Sequence, residues 1–243
     1  MISVFKKDTR VVILTGAGIS AESGIRTFRA SDGLWEDHRI EDVATPFAWM
    51  RDPELVWGFY QGRRRQLLEV SPNPAHEALV ALEQFLEDGY QLITQNVDDL
   101  HSRAGSKKLI HMHGELRKLR CENCEEVFVA MDDEHLGDGY VACPNCGEEP
   151  VRPHIVWFHE MPLHMREIDQ AVADCDVFIA IGTSGHVYPA AGLLGVAQAC
   201  GAHCIGINLD PPENVALFDE FHQGKAGDLL PALVNDWIGG EEE

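Results

Sequence analysis

The sequence predicts an α/β fold: a doubly wound parallel sheet with a smaller domain formed by insertions. Three observations carry this. Four short apolar runs, Val11–Leu14, Gln91–Thr94, Val177–Ile181 and His203–Ile207, have the length and composition of buried parallel strands. Helical patterns such as Ala75–Leu86 and Ala190–Ala199 separate them. Each run ends in small or polar residues: Thr15-Gly16, Gln95-Asn96, Gly182-Thr183-Ser184 and Asn208. In such a sheet those four clusters share one rim, beyond the carboxyl ends of the strands, where ligands bind.

The first strand runs into Gly16-Ala17-Gly18 and then a short helix. Missing side chains at Gly16 and Gly18 let backbone N–H groups approach a pyrophosphate at a helix N-terminus. A dehydrogenase of Rossmann type needs, about 20 residues on, a second strand ending in an acidic residue. Here Trp35-Glu36-Asp37-His38 stands at that distance with no apolar strand before it, which disfavours that reading.

Two segments fall outside the sheet. Residues 30–70 lack a clear strand and carry a helical pattern over Pro53–Leu68, and residues 120–153 hold two cysteine pairs among short polar stretches. The expected division is a nucleotide-binding domain of residues 1–29, 71–119 and 154–243, and a small domain of residues 30–70 and 120–153.

The pairs Cys121-x-x-Cys124 and Cys143-x-x-Cys146, 18 residues apart, have the spacing of a tetrahedral four-thiolate zinc site. With all four positions filled by protein, one zinc ion would be structural and would pin an insert too small to fold on its own apolar core. A nucleic-acid zinc ribbon is the rival, supported by Arg117, Lys118 and Arg120. The other three cysteines, Cys175, Cys200 and Cys204, lie in apolar segments and read as buried thiols.

In the helical stretch, Val56, Tyr60, Arg63 and Leu67 form one stripe at spacings of four, three and four, so Arg63 sits on the face expected to be buried. Arg64 and Arg65 point elsewhere and are expected to be solvated. Arg63 could equally snorkel to the surface or pair with a structural carboxylate.

The 243 residues are 45% hydrophobic, enough to bury a large core, and contain no apolar run of membrane-spanning length. Met1–Arg10 lacks the apolar region of a signal peptide, so a cytoplasmic protein is expected. A net charge of −21 disfavours nucleic acid and anionic membranes and favours basic partners such as lysine-rich peptide segments.

Beyond Gly-x-Gly, the block Gly16-Ala17-Gly18-Ile19-Ser20-Ala21-Glu22-Ser23-Gly24-Ile25-Arg26-Thr27-Phe28-Arg29 resembles the NAD-binding signature of the sirtuins, NAD-consuming protein-lysine deacylases with a Rossmann-like domain. Further stretches carry the same likeness, in order. Thr94-Gln95-Asn96-Val97-Asp98-Asp99-Leu100-His101 reads on its residues alone as a turn capping a helix. It also resembles the family's Thr-Gln-Asn-x-Asp-x-Leu-His motif. His111-Met112-His113-Gly114 resembles the catalytic segment, and Arg152–Glu160 the strand that pairs with substrate backbone. Gly182-Thr183-Ser184, Asn208-Leu209-Asp210 and Ala226 match phosphate, ribose and adenine contacts.

The resemblance implies removal of acyl groups from protein or peptide lysines, giving nicotinamide, O-acyl-ADP-ribose and free lysine. His113 would be the general base, with Asn96 and Asp98 in the catalytic centre. It implies NAD contacts from Gly16, Ala17, Gly18, Ser20, Ala21, Phe28, Arg29, Gln95, Asn96, Val97, Asp98, Gly182, Thr183, Ser184, Asn208, Leu209, Asp210 and Ala226. Substrate would meet Val156, Trp157 and Phe158. Tyr60-x-x-Arg63 looks like the pair of the branch that removes succinyl and malonyl groups, where a guanidinium and a phenol bind the terminal carboxylate. Most relatives carry Gly where this chain has His159. An ADP-ribosyltransferase and a non-catalytic NAD sensor remain as alternatives; an intact Asn96, Asp98 and His113 argue against the sensor.

Overall fold

A computed structural model describes residues 5–26, 34–35, 38–131, 135–137, 139–149 and 151–239. In chain order the elements are β1 (Val11–Thr15), α1 (Gly18–Ala21), β2 (Leu34–Trp35), β3 (His38–Arg39), α2 (Ile40–Val43), α3 (Pro46–Arg51), α4 (Pro53–Gln66) and α5 (Pro74–Leu86). Then follow β4 (Tyr90–Thr94), α6 (Leu100–Ala104), β5 (Leu109–His111), β6 (Gly114–Cys121), β7 (Val127–Val129) and β8 (Val151–Ile155). The last are α7 (Met165–Asp174), β9 (Val177–Ile181), α8 (Leu193–Ala199), β10 (His203–Asn208), β11 (Glu220–Gln223) and α9 (Ala226–Trp237).

Six strands form a parallel sheet in the order β11-β10-β9-β1-β4-β5. The expected doubly wound sheet is present, and its four apolar runs are its four central strands. β1 lies between Tyr90–Thr94 and Val177–Ile181, in register from Val11 to Thr15. Alternate residues serve opposite faces. Val11 and Ile13 pack with Leu79, Leu82, Leu230 and Val234 of α5 and α9. Val12 and Leu14 pack with Ile168, Val172, Leu193 and Leu194 of α7 and α8. The stretch 190–199 starts with a 3₁₀ turn before α8.

Three helices start on a polar residue followed by proline, the favoured entry to a helix. Thr45 accepts from the Ala48 amide before α3, Asp52 from the Leu55 amide before α4, and Asn73 from the Ala75 amide before α5. His76 completes the last cap: its Nδ1 accepts the Asn73 N–H at 3.2 Å.

The smaller unit is built on a three-stranded antiparallel sheet, β7-β6-β8. Its core joins Val56, Trp57, Tyr60 and Leu67 to Leu116, Leu119, Val151, Ile155 and Trp157. β6 starts at Gly114, so residues 114–119, expected with the larger sheet, pair in the small one. No helix among the described residues is long and apolar enough to cross a membrane.

Candidate active site

The chain lays β1, β4 and β5 to one side of the sheet and β9, β10 and β11 to the other, so the direction of winding reverses between β1 and β9. In open sheets of this kind ligands bind in a crevice at such a switch point. Here the loops leaving the two strands are locked together. The Gly16 amide donates to the Ile181 carbonyl and the Gly18 amide to the Gly182 carbonyl, both at 2.9 Å. A Cβ on Gly18 would lie 2.7 Å from Gly182 Cα, and Gly182 has φ +63°. Gly16, Ala17 and Gly18 thus bring bare backbone to the mouth of the switch point. Thr183 is held on the neighbouring loop, its carbonyl accepting from Asn208 Nδ2 at 2.8 Å. Ser184, Leu209 and Asp210 are exposed on the same rim. Ala226 opens α9, and the following Gly227 amide donates to Glu22 Oε1 at 2.9 Å. Phe28 and Arg29 lie outside the described residues.

The loop after β4 places Asn96 and Asp98 against that crevice. Asn96 Nδ2 donates to the Gly16 carbonyl and to Ser20 Oγ, each at 3.1 Å. Ser20 in turn donates to Asp98 Oδ2 at 2.9 Å, and Asp98 Oδ1 accepts the Leu100 amide at 3.1 Å. Both donors of the Asn96 carboxamide group are drawn to the loop, so its oxygen is the end left for a ligand. Burial pushes the Asp98 carboxyl above the usual carboxylate range. Val97 joins this loop to the small sheet, its carbonyl accepting the Leu116 amide at 2.8 Å.

His113 sits where the two sheets meet. Its Nδ1 is 3.1 Å from the Gln95 carbonyl, which can only accept, so Nδ1 carries the proton and Nε2 keeps a lone pair. Burial lowers its pKa below the ordinary histidine value, which keeps the ring neutral at pH 7. Gly114 beside it has φ +81°, and a Cβ there would lie 2.0 Å from the His154 carbonyl. Only glycine allows that approach. The ring nitrogens of His111 are buried and make no hydrogen bond among the described residues.

The segment after β8 is anchored from both sides. Val156 donates to the His113 carbonyl at 2.9 Å and Phe158 to the Ala44 carbonyl at 3.0 Å. Trp157 is buried, and its Nε1 donates to the Tyr60 hydroxyl at 3.0 Å. The Arg152 guanidinium lies 3.5 Å from the Trp157 ring centroid and forms a two-pronged pair with Glu160 at 2.7 and 2.9 Å. That pair holds the Glu160 carboxyl below its usual range despite burial. His159, inside this turn, has φ +75°.

On α4 the stripe is buried as its spacing predicts: Val56 and Tyr60 are 0% exposed, Leu67 3% and Arg63 6%. Burial raises the Tyr60 hydroxyl well above the ordinary value for a phenol. The expectation for Arg64 was wrong: it is fully buried, not solvated. The carbonyl of Leu116, at 2.8 Å, and the amide oxygen of Gln61 accept from it, which makes burial of the charge tolerable. Burial still lowers its pKa to about 10. Arg65 is exposed, as expected.

The four cysteine sulfurs lie within 4.8 Å of one another, with Cys121–Cys146 and Cys124–Cys143 each 3.6 Å apart. Sulfurs about 2.3 Å from a tetrahedral zinc stand roughly 3.8 Å apart, so the donor set fits the ion. The two halves match. Asn123 Nδ2 points at Cys146 Sγ and Asn145 Nδ2 at Cys124 Sγ, at 3.6 and 3.5 Å. Arg117 and Lys118, which supported a nucleic-acid ribbon, pair with Asp99 and Glu115. Of the remaining cysteines, Cys175 and Cys204 are buried, but Cys200 is exposed at the end of α8, which corrects the expectation for it.

Sequence reasoning missed the hydroxyls of Thr15 and Thr94, 2.8 Å apart beneath Asn96, and the Arg152–Glu160 pair behind Trp157. Thr15 and Thr94 each end an apolar strand, which is the signal that could have found them.

The Sir2 family profile matches residues 16–189. The NAD-dependent protein deacylase of Yersinia pestis is 55% identical over 230 residues, covering 94% of this chain and 82% of that one. That of Pasteurella multocida is 53% identical over 234 residues, covering 96% and 99%. A mutant Sir2 homologue in complex with ADP-ribose superposes with TM-score 0.87 at 40% identity, covering 95% and 92%. Sir2Af2 bound to a myristoylated histone peptide does so with TM-score 0.75 at 33% identity, covering 94% and 90%.

Proposed function

Because the chain belongs to the Sir2 family and is an NAD-dependent protein deacylase with one structural zinc, we propose that it removes succinyl and malonyl as well as acetyl groups from protein lysines, with His113 as general base. The observation that carries the base is the fixed tautomer of a neutral ring: Nδ1–H is committed to the Gln95 carbonyl and Nε2 can take a proton. The observation that carries the acyl choice is a buried guanidinium, Arg63, one helical turn from a buried phenol, Tyr60. A succinyl or malonyl carboxylate entering an apolar tunnel requires such a partner, and a guanidinium answers it with two parallel hydrogen bonds.

NAD supplies the electrophilic ribose carbon; lysine, nicotinamide and O-acyl-ADP-ribose are the products. The chain positions the reactants. Gly16, Ala17 and Gly18 lie along the phosphates, the missing side chains of the two glycines allowing the close approach, and Thr183 and Ser184 complete that contact. Asn96 and Asp98 hold the nicotinamide ribose and the carboxamide. Asn208, Leu209, Asp210 and Ala226 hold the adenosine end. Acyl-lysine peptides pair with the Val156–Phe158 segment, which brings the lysine between His113 and α4. In this reading residues 1–29, 71–113 and 156–243 serve NAD, residues 30–70 and 114–155 form the smaller domain, and the ends of β6 and β8 are the joint between them.

The test is mass spectrometry of one peptide carrying acetyl- or succinyl-lysine, with and without NAD. NAD-dependent loss of succinyl at least as fast as acetyl is expected. Loss of acetyl alone would discard the carboxylate pocket; transfer of label from NAD to protein would instead indicate an ADP-ribosyltransferase.

A further inference from the structure

A line of buried polar groups runs under the ribose loop, and none of its inner members touches the crevice. It begins at the cap of α5, where the Asn73 amide donates to His76 Nδ1. That fixes the neutral His76 ring with its proton on Nε2. The His76 and His101 rings meet edge to face, with centroids 4.8 Å apart. His76 Nε2 and His101 Nδ1 are both buried and have no hydrogen-bond partner among the described residues, so the two rings meet by contact alone. His101 Nε2 lies 3.0 Å from Thr15 Oγ1, Thr15 Oγ1 lies 2.8 Å from Thr94 Oγ1, and Thr94 Oγ1 accepts the Asn96 amide at 3.0 Å. Thr15, Thr94 and His76 are 0% exposed and His101 is 1% exposed.

The proton directions follow from the Thr15 end. The Thr15 hydroxyl donates its one proton to Thr94, so it accepts from His101, whose proton is on Nε2. Thr94 is clamped between the Thr15 hydroxyl and the Asn96 N–H. Burial keeps both rings neutral, which this pattern requires. The same Asn73 also ties down the far side of the loop, its Nδ2 donating to the Ile19 carbonyl at 2.8 Å and to Ser23 Oγ at 3.0 Å.

We propose that Thr15 and His101 are positioning residues for the deacylation reaction, acting through Thr94 on the backbone of Asn96 and so on the direction of its carboxamide oxygen. The proposal rests on the reading of Asn96 as a residue that holds the NAD ribose. A carboxamide that swings freely still lets substrates bind but meets the reacting ribose less often in the productive geometry.

The experiment compares Thr15→Val, which keeps shape and loses the hydroxyl, with Thr15→Ser, which keeps the hydroxyl, using NAD and one acetylated peptide. Expected are a fall in kcat of about tenfold for Thr15→Val with KM for the peptide within about twofold, and recovery in Thr15→Ser to within about threefold of the parent. Thr15→Val strands the His101 N–H and is expected to lower stability on that account. The double variant Thr15→Val/His101→Leu removes both partners of that bond, so it strands no further donor, and it is expected to show the same low kcat. Parental kcat in Thr15→Val or in the double variant overturns the proposal. So does an equal loss in Thr15→Ser and Thr15→Val. Asn96→Ala is assayed alongside. If it keeps full activity, the ribose reading has failed; if it is inactive while Thr15→Val is normal, only the positioning role has.

Discussion

The indole Nε1 of Trp157 donates to the hydroxyl of Tyr60 at 3.0 Å, and the indole face carries the Arg152 guanidinium at 3.5 Å. Two segments 97 residues apart in the chain are thereby fixed at one point. An indole can only donate, so the Tyr60 oxygen answers it with a lone pair. Tyr60 stands one helical turn from Arg63, and the proposed acyl site rests on that pair.

Arg63→Met should therefore lower kcat/KM for a succinylated peptide about 100-fold, the size of a charge-assisted two-pronged bond, and for an acetylated peptide by far less. Tyr60→Phe should act in the same direction by roughly tenfold. Steady-state kinetics on matched peptides decide this. Equal losses on both acyl groups would remove the pocket from the account.

His113 gives a pH dependence with a definite sign. Its pKa is depressed by burial, so the neutral ring persists below pH 6.5 and is lost only as pH falls through the lowered value. The acid limb of kcat against pH should have its midpoint under 6.5. A midpoint above 7 would assign that limb to another group. His113→Ala should lose turnover while retaining NAD binding by calorimetry and an unchanged melting transition.

His159 holds a left-handed backbone conformation at φ +75°, which side chains larger than glycine disfavour by about 1 kcal/mol. His159→Gly should stabilise the protein by roughly 0.5 kcal/mol, glycine's extra freedom when unfolded offsetting the rest. The urea midpoint reads this directly; a lower midpoint would mean that the imidazole makes a compensating contact.

The zinc site predicts a slow structural failure. A chelator should disorder the small sheet gradually, seen as loss of the near-ultraviolet signal of Trp49 and Trp157, both of which pack in the core shared with Cys121 and Cys143. Rapid, reversible loss of activity with that signal intact would indicate a catalytic metal.

Much of the site was legible because the strands that carry it are buried on both faces. Val11–Thr15 and Val177–Ile181 could not be polar and remain central, so their ends stand out as abrupt changes in residue type. Edge strands lack that mark. β11 reads Glu220-Phe221-His222-Gln223 and pairs on one side only. β6 is masked in a different way: Glu115, Arg117, Lys118 and Arg120 are half-buried, while Leu116, Leu119 and Cys121 face the core. The burial of Arg64 was illegible for a third reason. Its partners include the backbone of Leu116, 52 residues away, and no periodicity reports a carbonyl. The four cysteines lay at the other extreme, since their spacing alone states both the chemistry and the local chain path.

The meshing of Gly16 and Gly18 with Gly182 makes two distant stretches of sequence a single unit of inheritance. A methyl group on Gly18 or on Gly182 pushes the same two backbones apart. The second substitution then meets a gap that the first has already opened. A scan of single changes would count separate intolerant positions, whereas the harm of the pair should fall well short of the sum. In this chain each end thus opposes the first substitution at the other.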